Sequence, residues 1–375
     1  MRTLSSTLLL AQKSPGYVRL WKIVLSRTGQ TTRGYDRTRV RSISHTEVPT
    51  QAAEIVLQNS DKALINLDFE HYQAVLSYGI STGVARTAWA TGTVYAIDDI
   101  RVPTTVNGYQ YRCSVAGTSH ATTEPTWPTD LGVTVTDGTA TWEMDGNTGD
   151  EYSRTAPLRV RVQVMPSAKN FLKVNLSAKG LLDQLGEDEA IASYTATSTA
   201  ADTVKGLINA IAAASTNLNS AYSEASVITV VYDNEDSLID TFAPKDYFSI
   251  KKGDTRLGKI QELLSYTGCK MRVGNDGKLH IFDPTTTGTT YDYEYKHNVV
   301  GDHRFYSKSV RLRFVRPNKI IVTSPASHSP VYSGSATSAT SYALNPKPHP
   351  IERRLDSNAQ AAAIAAAKIE QAELD

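Results

Sequence analysis

The feature that most constrains the fold is an interruption. Up to about residue 84 the chain reads as strands: YVRLWKIVLS (17–26), AAEIVLQNSD (52–61) and HYQAVLSYGIST (71–82) carry β-branched and aromatic residues between turn signals. From 85 to 148 the composition shifts to Thr, Gly, Pro and Trp. At 152 the strand-like pattern returns, with YSRTAPLRVRVQVMPS and then FLKVNLSAKGLLDQLG. One β-domain interrupted by an inserted module explains this order, because insertions are tolerated at exposed loop tips between strands. Ser81–Thr82 and Gly149–Asp150 are the expected tip.

The rest of the chain mixes helix and strand. LSSTLLLAQK (4–13) predicts a short helix capped by Ser5 or Ser6, and YDRTRVRSIS (35–44) alternates Arg37, Arg39 and Arg41 along one face. ADTVKGLINAIAAAS has a helical stripe at 204, 207, 208 and 211. SVITVVYD reads as a strand, and a helix follows a cap at Asp254 or Thr255 and stops at Gly268. KMRVGNDGKLHIFDP reads as a hairpin around Asn275-Asp276-Gly277, and SVRLRFVRPNKIIVTS as a strand pair broken at Pro317-Asn318. The last segment is an Ala-rich helix capped by Asp356 or Ser357, running to Asp375 with no stop signal, as in a chain that continues.

Composition narrows the classes. With 39 basic and 38 acidic residues, a global electrostatic grip on nucleic acid or anionic membrane is not expected. Nineteen tyrosines and many Thr and Val favour strands. The two cysteines, Cys113 and Cys269, show no metal-ligand spacing and read as small buried thiols. TLLLA is too short for a signal-peptide core and no stretch reaches membrane-span length, so synthesis and folding in a cytoplasm are expected.

Three motifs resemble catalytic or ligand signatures. GISTG (79–83) fits a nucleophile elbow at Ser81, but VARTAWATGTVY after it has no helical stripe, and a polar turn is expected. GDTRLGKI (253–260) fits a phosphate-binding loop up to its last residue, where Ile260 replaces the Mg²⁺-holding hydroxyl; a capped helix start is expected. DGNTGDE (145–151) echoes a Ca²⁺ loop, but Ala156 stands at the twelfth position, and a solvated turn is expected. No catalytic, cofactor or metal residues are assigned, and the chain is read as a non-enzyme.

TLLLAQKSPGYVRLWKI, AAEIVLQNSDKALINLD, YQAVLSYG, YSRTAPLRV, EDSLIDTFAPKDYFSI, TRLGKIQELLSYTGCKMRVGNDGKLHIFDP, RPNKIIVTS and RRLDSNAQAAAIAAAKIE together resemble the baseplate or tail-hub proteins of tailed bacteriophages. The resemblance implies an α+β, mostly β chain: two β-barrel domains, a mixed α/β part between them and a small all-β insertion. It places the first barrel in 1–84 and 149–196, the inserted module in 85–148, the mixed part in 197–289, and the second barrel with its C-terminal helix in 290–375. It also implies a homotrimer in a virion tail, contacting distal tail or tube proteins, tip or fibre proteins and the tape-measure protein. Arg37, Arg39 and Arg41, and Arg311, Arg313 and Arg316, then become candidates to face a partner ring or the lumen. Solvated strand faces explain them equally well.

Within 85–148, the series Trp89, Tyr95, Pro103, Tyr109, Tyr111, Cys113, AGTS (116–119), EPTWP (124–128), Asp137, Gly138 and Trp142 resembles small carbohydrate-binding β-modules of phage tails, with His120 where a glycine often stands. A module of ~60 residues has little core, so Trp89 and Trp142 are expected to fill it. Trp127, between two prolines, is the candidate exposed ring. It would stack on a sugar face with Glu124, Tyr109, Tyr111 and Asp137 supplying further contacts. A carbohydrate-binding tail or fibre adhesin is the alternative reading of the whole chain.

Overall fold

The computed structural model describes residues 5–13, 16–47, 50–166, 170, 172–196, 202–212, 222, 228–284 and 317–374. They are mostly β and divide into two compact units, Met1–Asp183 with Asn275–Gly277, and Gln184–Gly274 with Lys278–Asp375.

The first unit begins with helix α1 (Ser6–Lys13), where the Ser5 hydroxyl accepts from Leu8 N at 3.0 Å, as expected of a cap. Strands β1 (Arg19–Ser26), β2 (Arg33–Asp36), β3 (Val40–Thr46), β4 (Ala52–Gln58) and β5 (Gln73–Ser81) follow. Between β5 and the return of the host sheet lie β6 (Val94–Tyr95), β7 (Ile100–Arg101), β8 (Tyr109–Val115), β9 (Gly117–Thr118), β10 (Thr134–Asp137) and β11 (Ala140–Asn147). The host sheet resumes with β12 (Asp150–Arg154), β13 (Leu158–Val164) and β14 (Lys173–Lys179).

The host sheet has the order β2-β1-β5-β13-β14-β4-β3, with β12 also pairing β5. Its inner face is one apolar cluster: Ile23, Leu25, Val40, Ile55, Leu57, Phe69, Leu76, Val160 and Leu176 are all at most 1 % exposed. Among the described residues the ladder leaves β2 and β3 unpaired with each other, so the sheet is not a closed barrel. A tight turn nevertheless joins these two ends, and Trp21 Nε1 donates to Val40 O at 3.1 Å across the gap. That turn corrects the reading of 35–44 as one alternating strand. The Asp36 carboxylate accepts from Thr38 N at 2.9 Å, and Arg39 N bonds Asp36 O at 3.1 Å, so the chain reverses at 37–39. Arg37 is exposed in the turn, Arg39 pairs with Asp61 at 2.6 Å, and Arg41 donates to Gln58 Oε1. The three arginines do not share a strand face, and Arg311, Arg313 and Arg316 lie outside the described residues.

The inserted residues have their own sheet, β10-β11-β8-β7, and the short pair β6-β9. Their core is separate: Trp89, Tyr95, Tyr111, Cys113, Ala140, Trp142 and Met144. Both cysteines of the chain are buried and free.

Helix α2 (Leu181–Glu187) leads into β15 (Tyr194–Thr195), α3 (Val204–Ala212), β16 (Val230–Asp233), α4 (Leu238–Thr241), β17 (Ser249–Ile250), α5 (Arg256–Leu264), β18 (Lys270–Val273) and β19 (Leu279–Phe282). The expected hairpin is present as β18 against β19, and β16 joins β19 in parallel. After residue 317 come β20 (Lys319–Thr323), β21 (Ser333–Thr337), α6 (Ala339–Leu344), β22 (Pro348–Glu352) and α7 (Asn358–Leu374). They build a three-stranded sheet, β21-β20-β22, with α7 packed on β21 and β20. The Ala-rich sequence explains the closeness of α7: a Cβ at Gly334 would stand 2.3 Å from Ala362 N, so backbone meets backbone. Ser357 caps this helix, its hydroxyl accepting from Gln360 N at 3.1 Å. Residues 290–316 of the expected second barrel lie outside the described residues.

Candidate functional site

The five glycan-binding candidates gather around one aromatic cluster, and the structure gives them different surroundings. The TDGT turn between β10 and β11 sets Gly138 at φ 62 and aims Asp137 inward. Asp137 is 2 % exposed, and its Oδ2 accepts from Trp89 Nε1 at 2.7 Å and Trp142 Nε1 at 3.0 Å. Its Oδ1 accepts from His120 N at 2.8 Å. One carboxylate therefore satisfies two indoles and a loop amide that would otherwise be buried unpaired. Tyr111 is fully buried, its hydroxyl donating to Pro128 O at 2.9 Å and accepting from Asn107 Nδ2 at 2.8 Å.

Trp127 is half-buried. Its ring lies 4.3 Å from that of Tyr111 and meets Trp142 edge-on at 5.8 Å. Its indole Nε1 donates to Glu124 Oε1 at 2.8 Å, and Glu124 also accepts from Thr104 N at 2.9 Å and from the Thr104 hydroxyl. Burial pushes the Glu124 carboxyl up, but these hydrogen bonds outweigh it and hold the group below the usual carboxylate range. Tyr109 is half-buried against the same cluster. Trp127, Glu124 and Tyr109 thus keep a solvent face, while Tyr111 and Asp137 work from beneath.

The strongest electrostatic feature carries no local sequence signature. It is the neck where the insertion leaves and rejoins the host sheet. Ser81 stands opposite Asp150 in the β5–β12 ladder, and Thr82 N and Gly83 N both bond Gly149 O, at 2.9 and 3.1 Å. Beneath this lies Lys22 of β1, 1 % exposed, whose Nζ donates to Asp145 Oδ1 at 2.5 Å and to Asp145 O. Asp145, fully buried, also pairs with Arg154. The Lys22 ammonium sits 4.0 Å from the centre of the Tyr152 ring. Gln110 Nε2 donates to Asp150 O at 2.7 Å, and Arg86 reaches Gln110 Oε1, Asp150 O and Glu151 Oε1. Two close approaches seat the insertion further: a Cβ at Gly34 would stand 2.1 Å from Leu131 O, and one at Gly132 2.6 Å from Val24.

Burial pulls Lys22 down to about 8, against the upward pull of Asp145. Asp145 is displaced well below the usual carboxylate range: burial alone would raise it, and the Arg154 and Lys22 cations overcome that. The expected solvated turn at 145–151 is therefore corrected. Asn147 and Thr148 are exposed, but Asp145, Asp150 and Glu151 are buried.

Ser81 ends β5 and no helix follows it, so the elbow geometry is absent. In the 253–260 motif Thr255 caps α5, accepting from Gly258 N at 3.1 Å. Arg256 is buried and donates to Ile211 O at 2.8 Å and Ala212 O at 2.9 Å, closing the end of α3. Lys259 pairs with Glu262 at 2.8 Å and Asp254 at 3.1 Å, so it is held within its own helix start. Among the described residues no group of His, Cys, Asp and Glu is arranged to hold a metal ion, and no helix is long and apolar enough to cross a membrane.

No family model matches the chain, and no curated protein sequence matches it. Among solved structures it is similar to a tail protein from Neisseria meningitidis MC58, at 11% identity and TM-score 0.42, over 93% of this chain and 74% of that one. It is also similar to the 43 kDa tail protein of prophage MuSo2 from Shewanella oneidensis, at 12% identity and TM-score 0.38, over 94% and 79%. A third likeness is to prophage tail protein gp18 from Listeria monocytogenes EGD-e, at 9% identity and TM-score 0.43, over 90% and 75%. At these scores they are likenesses, and they carry no weight by themselves.

Proposed function

We propose that the chain is a structural component of a bacteriophage-like tail, a hub protein that assembles as a homotrimer, joins the tube to the tip or fibres, and catalyses no reaction. The sequence resemblance, which covers most of the chain outside 85–148, supplies the family; the neck is the observation that carries the structural role. A buried ion network, two neighbouring strands and two glycine seats fix the insertion onto the host sheet. A module held this way is carried in one orientation on its host. In this reading the host sheet is the first barrel of the hub, bridged at its β2–β3 gap by the Asp36 turn, and the second unit supplies the other barrel. Neighbouring tube, tape-measure and fibre proteins are its partners in the virion.

The insertion adds weak contact with host-surface glycan through Trp127, Glu124 and Tyr109, strengthened by threefold avidity. Negative-stain microscopy of the purified chain tests the hub reading: rings of threefold symmetry are expected, and isolated single particles at every concentration would count against it. A glycan array with wild type and Trp127→Ala tests the accessory contact, which is abandoned if the two give the same profile.

A further inference from the structure

Four Asn or Asp residues of the chain stand directly before a glycine: Asn107, Asp137, Asp145 and Asp276. A following glycine leaves its backbone nitrogen with the least steric cover, so in such pairs that nitrogen can attack the preceding side-chain carbonyl. The aspartates resist this, because a carboxylate ionised at neutral pH is a poor electrophile. Two of them are also buried and spent on other partners: Asp137 serves the Trp89 and Trp142 indoles, and Asp145 pairs with Lys22 and Arg154. Asn107 differs on both counts. It carries a neutral carboxamide, and both it and Gly108 are exposed in the loop between β7 and β8.

The loop holds the two reacting groups together. Asn107 Oδ1 accepts from Tyr109 N at 3.0 Å, so the side chain arches over Gly108. The ring closed by this hydrogen bond contains both the Asn107 carboxamide carbon and the Gly108 nitrogen, and the donated N–H draws electron density from the carbonyl. Gly108 lies at φ 87, and a Cβ there would meet nothing within 4 Å, which leaves room around its nitrogen. Thr148 N donates to Gly108 O at 3.0 Å and anchors the turn. On its other side Asn107 Nδ2 donates to the Tyr111 hydroxyl at 2.8 Å.

We propose that Asn107 is a self-modification site, converted to aspartate and isoaspartate by its own backbone. The Gly108 nitrogen attacks the Asn107 Cγ; the new C–N bond closes a succinimide ring, the Cγ–Nδ2 bond breaks, and Nδ2 leaves as ammonia with the proton of the Gly108 amide. Water then opens the ring at either carbonyl, giving aspartate or isoaspartate, and is the only co-reactant. The step depends on neither the hub reading nor the glycan reading, but it reaches the aromatic cluster. A carboxylate at 107 has no hydrogen to donate to Tyr111, and isoaspartate adds a methylene to the backbone just before β8. The Tyr111 ring lies 4.3 Å from that of Trp127, so conversion loosens the cluster from beneath.

The test incubates the purified full chain in mildly alkaline buffer and maps its peptides by mass spectrometry, beside the same chain unfolded in urea. The peptide holding Asn107 is expected to give two chromatographically separate products, each heavier by one dalton, with ammonia released. Gly108→Ala, whose methyl crowds the attacking nitrogen, and Asn107→Gln, whose longer side chain cannot close the same ring, should each leave that peptide unchanged over the same interval. Asn107→Asp, the aspartate product made directly, should unfold at lower urea than wild type by tryptophan fluorescence. An Asn107 that stays intact in the folded chain while the unfolded chain converts overturns the proposal. Conversion that proceeds equally in Gly108→Ala overturns the attack by the Gly108 nitrogen, and a wild-type unfolding midpoint in Asn107→Asp overturns the effect on Tyr111.

Discussion

Replacing Asp145 by Asn isolates what the neck contributes. The variant keeps the size of the side chain but leaves Lys22, 1 % exposed, without its counter-charge. Unpaired ammonium groups at such depth fall to a pKa of about 5–6. Lys22 would then lose its proton at pH 7, and starting from about 8 that escape costs about 1 kcal/mol. Arg154 loses a charge-assisted hydrogen bond, worth roughly 1.5–3 kcal/mol. Together these give about 3–4 kcal/mol, within the range of about 3–5 for breaking a buried pair. All four tryptophans, Trp21, Trp89, Trp127 and Trp142, lie in the first unit, so tryptophan fluorescence during urea unfolding reports that unit alone. Lys22→Met/Asp145→Asn removes the buried amine together with its partner and should recover about 1 kcal/mol of the loss, the share that falls to Lys22, because Arg154 lacks Asp145 in both variants. The reasoning fails if Asp145→Asn stays within about 1 kcal/mol of wild type, or if the double variant is no more stable than Asp145→Asn.

Other perturbations separate the remaining contributions. Lys22 is depressed from 10.5 to about 8, so between those values the unfolded chain holds a proton the folded one lacks; first-unit stability should rise with pH there by up to about 1 kcal/mol per unit relative to Lys22→Met. Asp145 is depressed as well, so its contribution is complete above about pH 4 and is lost on further acidification, a loss that Asp145→Asn should not show. Asp137→Ala strands two indole N–H groups and should cost about 2–4 kcal/mol by the same fluorescence assay; a loss below about 1 kcal/mol would show the indoles find other partners. Gly34→Ala places a Cβ against Leu131 backbone and should loosen the insertion, seen as faster proteolysis near the neck; wild-type resistance would remove this seat from the account.

The fold was legible where periodicity and caps agree. The helix at 204–212, the hairpin at 270–282 and the caps at Ser5, Thr255 and Ser357 all follow from local chemistry. The run WKIVL in β1 also held more than a strand. A run apolar on both faces belongs to a strand covered on both sides, and the insertion supplies the second cover. Lys22 in the middle of that run was the available signal for the neck, but its partner lies 123 residues away and no local pattern joins them. Asp145 sits in a Gly- and Asn-rich stretch that resembles a solvated turn for the same reason. At 35–44 the side chain of Asp36 decides for a turn over an alternation that looks continuous. The aromatic series of the insertion reads from sequence as mixed core and surface. What local sequence does not reveal is that Asp137 serves indoles 48 and 5 residues away.

The central claim is that this chain is a ring-forming structural subunit of a tail. Light scattering on the purified full chain across a range of concentrations tests it most directly. The account predicts the mass of three chains. A mass of one chain throughout would contradict it and leave the proposed glycan contact of residues 85–148 as the activity to examine.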